Sequence, residues 1–405
     1  MDLKKDGRIL YISSVDVSIG NGPGVNEREF ILALYAAVGD RAHFIIPQTE
    51  NEVSDLPLHA CTFTVPHRRH HPVFYPVHIL SQIRLARRLL SRNHFDLIVF
   101  RLDVLPFAPL FITKQRQTPY VLKTLGQGLL NVLYERGSWL GKSLAEMNRR
   151  LVKRLVTGAL LADSVSVTQV EFLNKILDPD SQKIIWIDNA VNTNRFFPSS
   201  ASRARKELGI AGFDPIIGYV GTRAWERGGM QLIETAPRLI AKYPTLGVVI
   251  LGDGKELDTM KERADELGIE SHCVFTGYVP FHRVPLYINS LDVGVSINLR
   301  PDRFAASELK VRQYLACGKP VVVSPGSNDF VAIENLGSIV QPTDLDAITA
   351  MLEKWLSLTA DERNDFSNKA TRYTQNNLSI DAAVTNRFKL WSERLQTHRL
   401  EYINP

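Results

Sequence analysis

Ile216-Ile-Gly-Tyr-Val-Gly-Thr-Arg-Ala-Trp-Glu-Arg-Gly-Gly-Met230 carries a strand, a turn and the first residue of a helix. The apolar run Ile216–Val220 stops at Gly221, and the amphipathic run Met230–Lys242 opens directly after Gly228 and Gly229. Glycine tolerates positive φ and close backbone approach, while a helix N-terminus presents N–H groups and a partial positive charge. With Arg223 or Arg227 adding a full charge, this turn suits a diphosphate. A glycine-rich turn of this kind is also a common structural connection, so its neighbours decide the reading.

Those neighbours repeat the rhythm. Downstream, candidate strands Gly247–Leu251, Cys273–Thr276, Val293–Ile297 and Pro320–Ser324 alternate with helical runs such as Asp258–Leu267 and Lys310–Ala316. Upstream, Ile9–Ser13, His43–Ile46, Leu97–Arg101, Tyr120–Thr124 and Val165–Thr168 alternate with Glu27–Val38 and His78–Ser91. Alternation of this kind predicts α/β architecture with parallel sheets. A length of 405 residues fits two domains. The turn-rich stretches Asn192-Thr-Asn and Pro198-Ser-Ser-Ala-Ser break the rhythm near 189–202. The expected division is 1–195, 196–375 and a C-terminal helical piece, 376–405, returning toward the first domain and packing on both. Open parallel sheets bind ligands outside their strand carboxyl ends, so substrates are expected in a cleft between two facing sheets.

Composition narrows the class. The 44% hydrophobic and 22% charged content is that of a globular chain. The longest apolar stretch, 95–113, is broken by Asp96, Arg101, Asp103, Pro106 and Pro109, which excludes a spanning helix there. The polar N-terminus has no secretion signal, and three scattered cysteines, Cys61, Cys273 and Cys317, read as free thiols in a reducing cytoplasm. Net charge is +5, yet residues 61–160 hold sixteen Lys/Arg against four Asp/Glu, about +12. Such a basic half fits an anionic lipid surface, a charged acceptor or nucleic acid, and equally a solvated face. His67-Arg-Arg-His-His reads as a basic loop, because two arginines among the imidazoles repel a metal ion. Arg84, Arg87, Arg88 and Arg92 run beside an apolar stripe, the pattern of a packed surface helix or of one resting on lipid.

Further motifs follow in order: Leu251-Gly-Asp-Gly-Lys-Glu-Leu, Val274-Phe-Thr-Gly-Tyr-Val-Pro, Leu291-Asp-Val-Gly-Val-Ser, and Ser307-Glu-Leu-Lys-Val-Arg-Gln-Tyr-Leu-Ala-Cys-Gly-Lys-Pro. With these the chain resembles the retaining glycosyltransferase family 4, also called glycosyl transferases group 1. Its members have the GT-B fold, two Rossmann-like domains, and use nucleotide-diphosphate sugars. Asn189-Ala-Val-Asn-Thr-Asn-Arg-Phe-Phe-Pro is similar to the family's Asn-Gly-Val-Asp linker, and Gly20-Asn-Gly-Pro-Gly-Val-Asn-Glu to its first turn. The likeness is strong over 163–324 and loose in the rest of the first domain.

The resemblance implies roles residue by residue. Arg227 and Gly228 stand where the family's Lys-Gly pair contacts the donor diphosphate, on the turn that Gly221 opens. Thr222 replaces the usual Arg after Gly221, leaving Arg223 one step late. Gly252 ends the next strand. Tyr278 and Val279 match the segment holding the nucleotide base, and Gln313 replaces the glutamate that binds ribose hydroxyls. Ala305 falls at the other glutamate of that pair. Glu308 either compensates by reaching the donor sugar or is a solvated helix-start residue. Lys310 either faces a phosphate or is a surface lysine. Gly22 and Gly24 punctuate the loop after the first strand and are expected to approach the donor. The family's first-domain His has no counterpart, since Leu125 occupies its place. Arg101, Asp103 and Lys123 either line the acceptor side, or Asp103 and Arg101 pair with each other. No cofactor or metal is implied.

The activity implied is retaining transfer from a nucleotide sugar to a hydroxyl of a glycan or lipid-linked acceptor, in the cytoplasm or peripherally at the inner membrane face. Alternatives are a nucleotide-sugar epimerase or hydrolase of the same fold, a nucleic-acid-binding relative, which no aromatic-interleaved basic motif supports, and a binding protein without catalysis.

Overall fold

A computed structural model of the chain describes residues 2–20, 22–49, 53–66, 74–102, 106–113, 118–123, 139–165, 167–177, 183–221, 224–254, 256–299, 307–326 and 328–403. It contains two compact units, Met1–Asp188 with Ala383–Pro405, and Asn189–Ala382.

The first unit is built on seven strands: β1 Ile9–Ile12, β2 Ala42–Gln48, β3 Cys61–Pro66, β4 Leu97–Arg101, β5 Tyr120–Lys123, β6 Ala162–Ser164 and β7 Ile184–Trp186. They are all parallel, in the order β3-β2-β1-β4-β5-β6-β7, with Ile9 of β1 opposite Ala42 on one side and Leu97 on the other. Side chains alternate across the pleat. Leu10, Ile12, Ile98, Phe100 and Leu122 pack with Ile83, Ala86, Ile112, Leu151 and Leu155 of helices Phe74–Arg92, Phe107–Thr113 and Trp139–Gly158. Tyr11 faces the other way, its ring 5.5 Å from Phe30 of helix Gly22–Val38. Right-handed crossovers dictate this sorting. The step from β1 to β2 runs one way along the sheet, and those from β3 to β4, β4 to β5 and β5 to β6 run the other, which puts their helices on opposite faces. The C-terminal helix Ile380–Ile403 joins the layer of Gly22–Val38, where Arg387 lies over the Phe30 ring.

In the second unit β8 Ile216–Val220, β9 Gly247–Leu251, β10 Cys273–Phe275, β11 Val293–Ser296, β12 Val321–Val323 and β13 Gly337–Ile339 follow the order β10-β9-β8-β11-β12-β13, again parallel. All five residues of β8 and of β9 are buried, as expected of strands covered on both faces. Each fully buried Val or Ile side chain contributes about 1.5–3 kcal/mol. Strand order reverses between β8 and β11, so this sheet opens a crevice at their carboxyl ends.

Several sequence expectations need correction. The strand expected at 165–168 is displaced: β6 lies earlier, at Ala162–Ser164, and helix Val167–Leu177 begins inside the expected range. Ala162 is held between Leu122 and Ile184, pairing that an alternating Val/Ser/Thr pattern does not announce. β3, β7 and β13, three of the four edge strands, escape the sequence reading, and β7 and β13 have only three residues. Gly22 and Gly24 are not loop residues but the first turn of helix Gly22–Val38, where Pro23 has the φ that a helix start requires.

Candidate active site

In the second unit the glycine turns meet at the carboxyl ends of β8, β9 and β10. Gly221 leaves β8 with φ +141°, and Lys310 lies over it: a Cβ on Gly221 would come within 3.2 Å of Lys310 Cε. The short 3-10 turn Trp225–Arg227 then leads to Gly228, whose φ of +106° closes the turn ahead of helix Gly229–Lys242. A Cβ at Gly228 would sit 3.1 Å from the Ile297 amide nitrogen, a tight contact on a backbone whose positive φ already favours glycine. Gly252 N–H donates to the Gly277 carbonyl at 3.1 Å, tying the β9 and β10 exits together. The first-turn N–H groups of Met230 and Gln231 have no acceptor within their own helix.

Two backbone bonds fasten the Trp225–Arg227 turn to the end of β11: Ile297 N–H donates to the Arg227 carbonyl at 3.0 Å and Leu299 N–H to that of Glu226 at 3.1 Å. Helix Leu309–Ala316 is anchored on the other side by Tyr314, whose hydroxyl accepts from Val220 N–H at 2.8 Å. Both tethers bring charged side chains together at the β8–β11 switch. Arg227 donates to the Glu308 carboxylate, which also accepts from the Ser296 hydroxyl. Lys310 Nζ stands 3.7 Å from Glu308 Oε2, donates to the Tyr219 hydroxyl at 3.1 Å and lies 4.6 Å from that ring's centre. The Asn189 amide donates to the Ser307 carbonyl at 2.5 Å, which fixes the residue ahead of Glu308.

The placements answer the open readings unequally. Glu308 is no solvated residue: its side chain is 9% exposed and is committed to Arg227 and Ser296. Lys310 is no surface lysine either, being held over Tyr219. Gln313 is buried on the same helix, and among the described residues its amide makes no hydrogen bond. Tyr278 is 66% exposed, whereas Val279 packs against the core. Thr222, Arg223 and Ala305 lie outside the described residues. Tyr219 and Ser296 escape the sequence reading because both look like ordinary strand residues.

The first unit gathers charge at the same end of its sheet. Glu27 is fully buried and accepts from Tyr11 at 2.5 Å, Arg101 at 2.8 Å and Lys123 at 3.0 Å. Burial alone would raise the Glu27 carboxyl, but the Lys123 and Arg101 charges and the Tyr11 and Ser13 hydrogen bonds hold it at about 2. Burial lowers Lys123 to about 8 against the pull of Glu27. Lys123 Nζ lies 4.1 Å from the Phe30 ring centre, and Arg387 reaches Asp163 at 3.1 Å. So Arg101 and Lys123 both pair with Glu27, while Asp103 and Leu125 lie outside the described residues. A signal for Glu27 was present: with Phe30, Ile31, Leu34 and Val38 it falls on one helical stripe, the buried one. Burial pushes the Cys61 thiol up to about 11 and those of Cys273 and Cys317 to about 12, which leaves none of them a ready thiolate. His67 to His71 lie outside the described residues.

Comparison with known proteins follows the same division. The sequence profile of the family described as Glycosyl transferases group 1 matches residues 200–373. A GDP-mannose-dependent alpha-(1-6)-phosphatidylinositol monomannoside mannosyltransferase of Mycolicibacterium smegmatis is 30% identical over 224 residues, 53% of this chain and 57% of that one. A 2-deoxystreptamine N-acetyl-D-glucosaminyltransferase of Streptomyces fradiae is 30% identical over 148 residues, 36% of this chain and 34% of its own. The chain thus spans little more than half of the first of these relatives and about a third of the second. Among solved structures, Anabaena HepE in complex with UDP and glucose superposes with a TM-score of 0.69 at 16% identity, covering 96% of this chain and 100% of that one. The sucrose-phosphate synthase of Thermosynechococcus elongatus gives 0.71 at 16% identity, covering 96% and 100%. At such identities these matches establish the fold, two parallel Rossmann-like sheets of the GT-B type. Residues 200–373 of this chain are a glycosyl transferases group 1 domain, carried on a GT-B fold.

Proposed function

We propose that the chain is a retaining glycosyltransferase that moves a sugar from a nucleotide-diphosphate donor to a hydroxyl of a glycan or lipid-linked acceptor. The observation that carries the reading is the convergence of Arg227, Lys310 and the Gly229–Lys242 helix N-terminus on the β8–β11 switch point. Two cations and a helix N-terminus beside a glycine turn oppose the charge that grows on a departing diphosphate. In this reading Arg227 and Lys310 hold the diphosphate over Gly221 and Gly228, Gln313 takes the ribose, and the Tyr278–Val279 segment receives the base. Glu308, released by Arg227, turns to the sugar. Gly252, at the exit of β9, completes the wall of the turn. The departing phosphate oxygen takes the acceptor hydroxyl's proton as the new glycosidic bond forms on the same face, which retains configuration.

A lipid-linked acceptor is supported by the name of the Mycolicibacterium smegmatis relative, whose acceptor is a phosphatidylinositol mannoside. No described helix is long and apolar enough to cross a membrane, so a lipid acceptor calls for peripheral contact through the basic first unit, at the cytoplasmic face. The test is a transfer assay with UDP-, GDP-, ADP- and dTDP-sugars, each with and without lipid and glycan acceptors. Acceptor-dependent release of one nucleoside diphosphate is expected. Release or epimerisation without acceptor would replace transfer by hydrolase or epimerase chemistry, and no turnover with any donor would leave a binding protein.

A further inference from the structure

One helical layer of the first unit differs from the other. Helix Phe107–Thr113 touches both Phe74–Arg92 and Trp139–Gly158, and all three bury their inner faces in one core against the same side of the sheet. Their outer faces therefore form one continuous surface. Together they hold nine Lys/Arg, four on the first helix and five on the last, against a single carboxylate, Glu146. Glu146 is already committed, bonded to Arg149 at 2.7 Å and to Arg150 at 2.8 Å. Arg84, Arg88, Arg92, Lys142, Lys153 and Arg154 are exposed on the same outer surface.

Large apolar side chains stand among these charges. Trp139 is 82% exposed and Leu80 67%, with Phe111, Met147, Val77 and Leu144 also open to solvent. On helix Trp139–Gly158 the positions 139, 143, 147 and 150 share the outer side, opposite buried Ala145, Leu151, Val152 and Leu155. Lone exposed apolar residues are ordinary, but six on one layer of a single unit, ringed by cations, are not. A nucleic-acid site would need the cations alone, since Leu80, Leu144 and Met147 offer a phosphate backbone nothing. An anionic bilayer uses both parts, with bases at the headgroups and Trp139 and Leu80 at the acyl boundary.

We infer that the layer formed by helices Phe74–Arg92, Phe107–Thr113 and Trp139–Gly158 is a docking face for anionic membrane, with Trp139 and Leu80 as its inserted anchors. This rests on the peripheral contact proposed above and assigns it to one side of one sheet. The opposite layer, Gly22–Val38 with the C-terminal helix, stays in solvent.

The test uses the full chain and vesicles of phosphatidylcholine with or without phosphatidylglycerol, some carrying brominated acyl chains. Co-sedimentation is expected with anionic vesicles only, and brominated lipid should quench part of the tryptophan emission. Trp139→Phe should abolish that quenching, and Trp139→Ser with Leu80→Ser should cut partitioning at least tenfold. Arg84→Gln, Arg88→Gln and Arg92→Gln should each lower it about fivefold at low salt. Lys389→Gln and Arg394→Gln, exposed bases of the C-terminal helix, should leave it unchanged. Binding that survives the Trp139 and Leu80 changes but falls with Lys389 and Arg394 would overturn the assigned face and leave peripheral contact standing elsewhere. No binding of the wild-type chain to anionic vesicles, or equal loss of duplex-DNA binding in the same variants, would overturn both. Transfer to a water-soluble acceptor is expected to be unchanged in every docking variant.

Discussion

Replacing Arg227 by Ala removes the guanidinium that the β11 backbone bonds hold at the switch point. Two costs can be separated. In the free protein Glu308 loses its ion partner while largely buried, a change that costs about 3–5 kcal/mol when nothing else compensates. Lys310 at 3.7 Å and the Ser296 hydroxyl remain, so the loss of folding stability should be lower, about 1–3 kcal/mol. With the donor bound, a desolvated charge–phosphate contact disappears, worth about 2–5 kcal/mol. At about 1.4 kcal/mol per tenfold, nucleoside diphosphate affinity falls from roughly thirty-fold to a few thousand-fold. The reciprocal change, Glu308→Gln, acts oppositely on binding. Its carboxylate competes with a diphosphate for Arg227, so its removal should tighten nucleoside diphosphate binding, by about 1.5–3 kcal/mol if the full charge-assisted bond is released. The assay is isothermal titration of each variant with UDP, GDP, ADP and dTDP, beside thermal unfolding. A folded Arg227→Ala protein with unchanged affinity would refute the assignment. So would a Glu308→Gln protein that binds as poorly as Arg227→Ala.

Gln313→Leu should weaken nucleoside diphosphate binding by about 1–3 kcal/mol, because ribose hydroxyls lose a partner in a buried place, whereas Gln313→Glu should be tolerated. Equal affinity of the Leu and Gln proteins would end the ribose role. Glu27→Gln should destabilise the first unit at neutral pH, since the fall of the Glu27 carboxyl from the ordinary 4.5 to about 2 corresponds to roughly 3 kcal/mol. That advantage of the wild type is present above about pH 5 and disappears as pH falls toward 2, so denaturation curves of the two proteins should converge by then. A gap that stays constant between pH 7 and pH 3 would show that ionisation of Glu27 is not its source.

Part of this protein is legible along the chain because local physics writes it there. Two covered parallel sheets write themselves as β-branched runs, and Ile216–Val220 and Gly247–Leu251 are legible because every one of their residues is buried. The turn from Gly221 to Gly229 is legible for a related reason: only glycine accepts φ of +141° and +106° at Gly221 and Gly228. The remaining properties arise only on folding, because they belong to pairs of residues far apart in the chain. Arg227 and Glu308 become partners only once two separate turns are fastened to β8 and β11, and Ser296 enters as their third member. In the first unit Arg101 and Lys123 find Glu27 across 74 and 96 residues, a distance over which no spacing rule operates. Of the four edge strands only β10 is legible in the sequence, within the run Cys273–Thr276. Basic residues were countable from the start. That the bases of two helices share one outward layer with Trp139 and Leu80 follows from the handedness of four crossovers, which exists only in three dimensions.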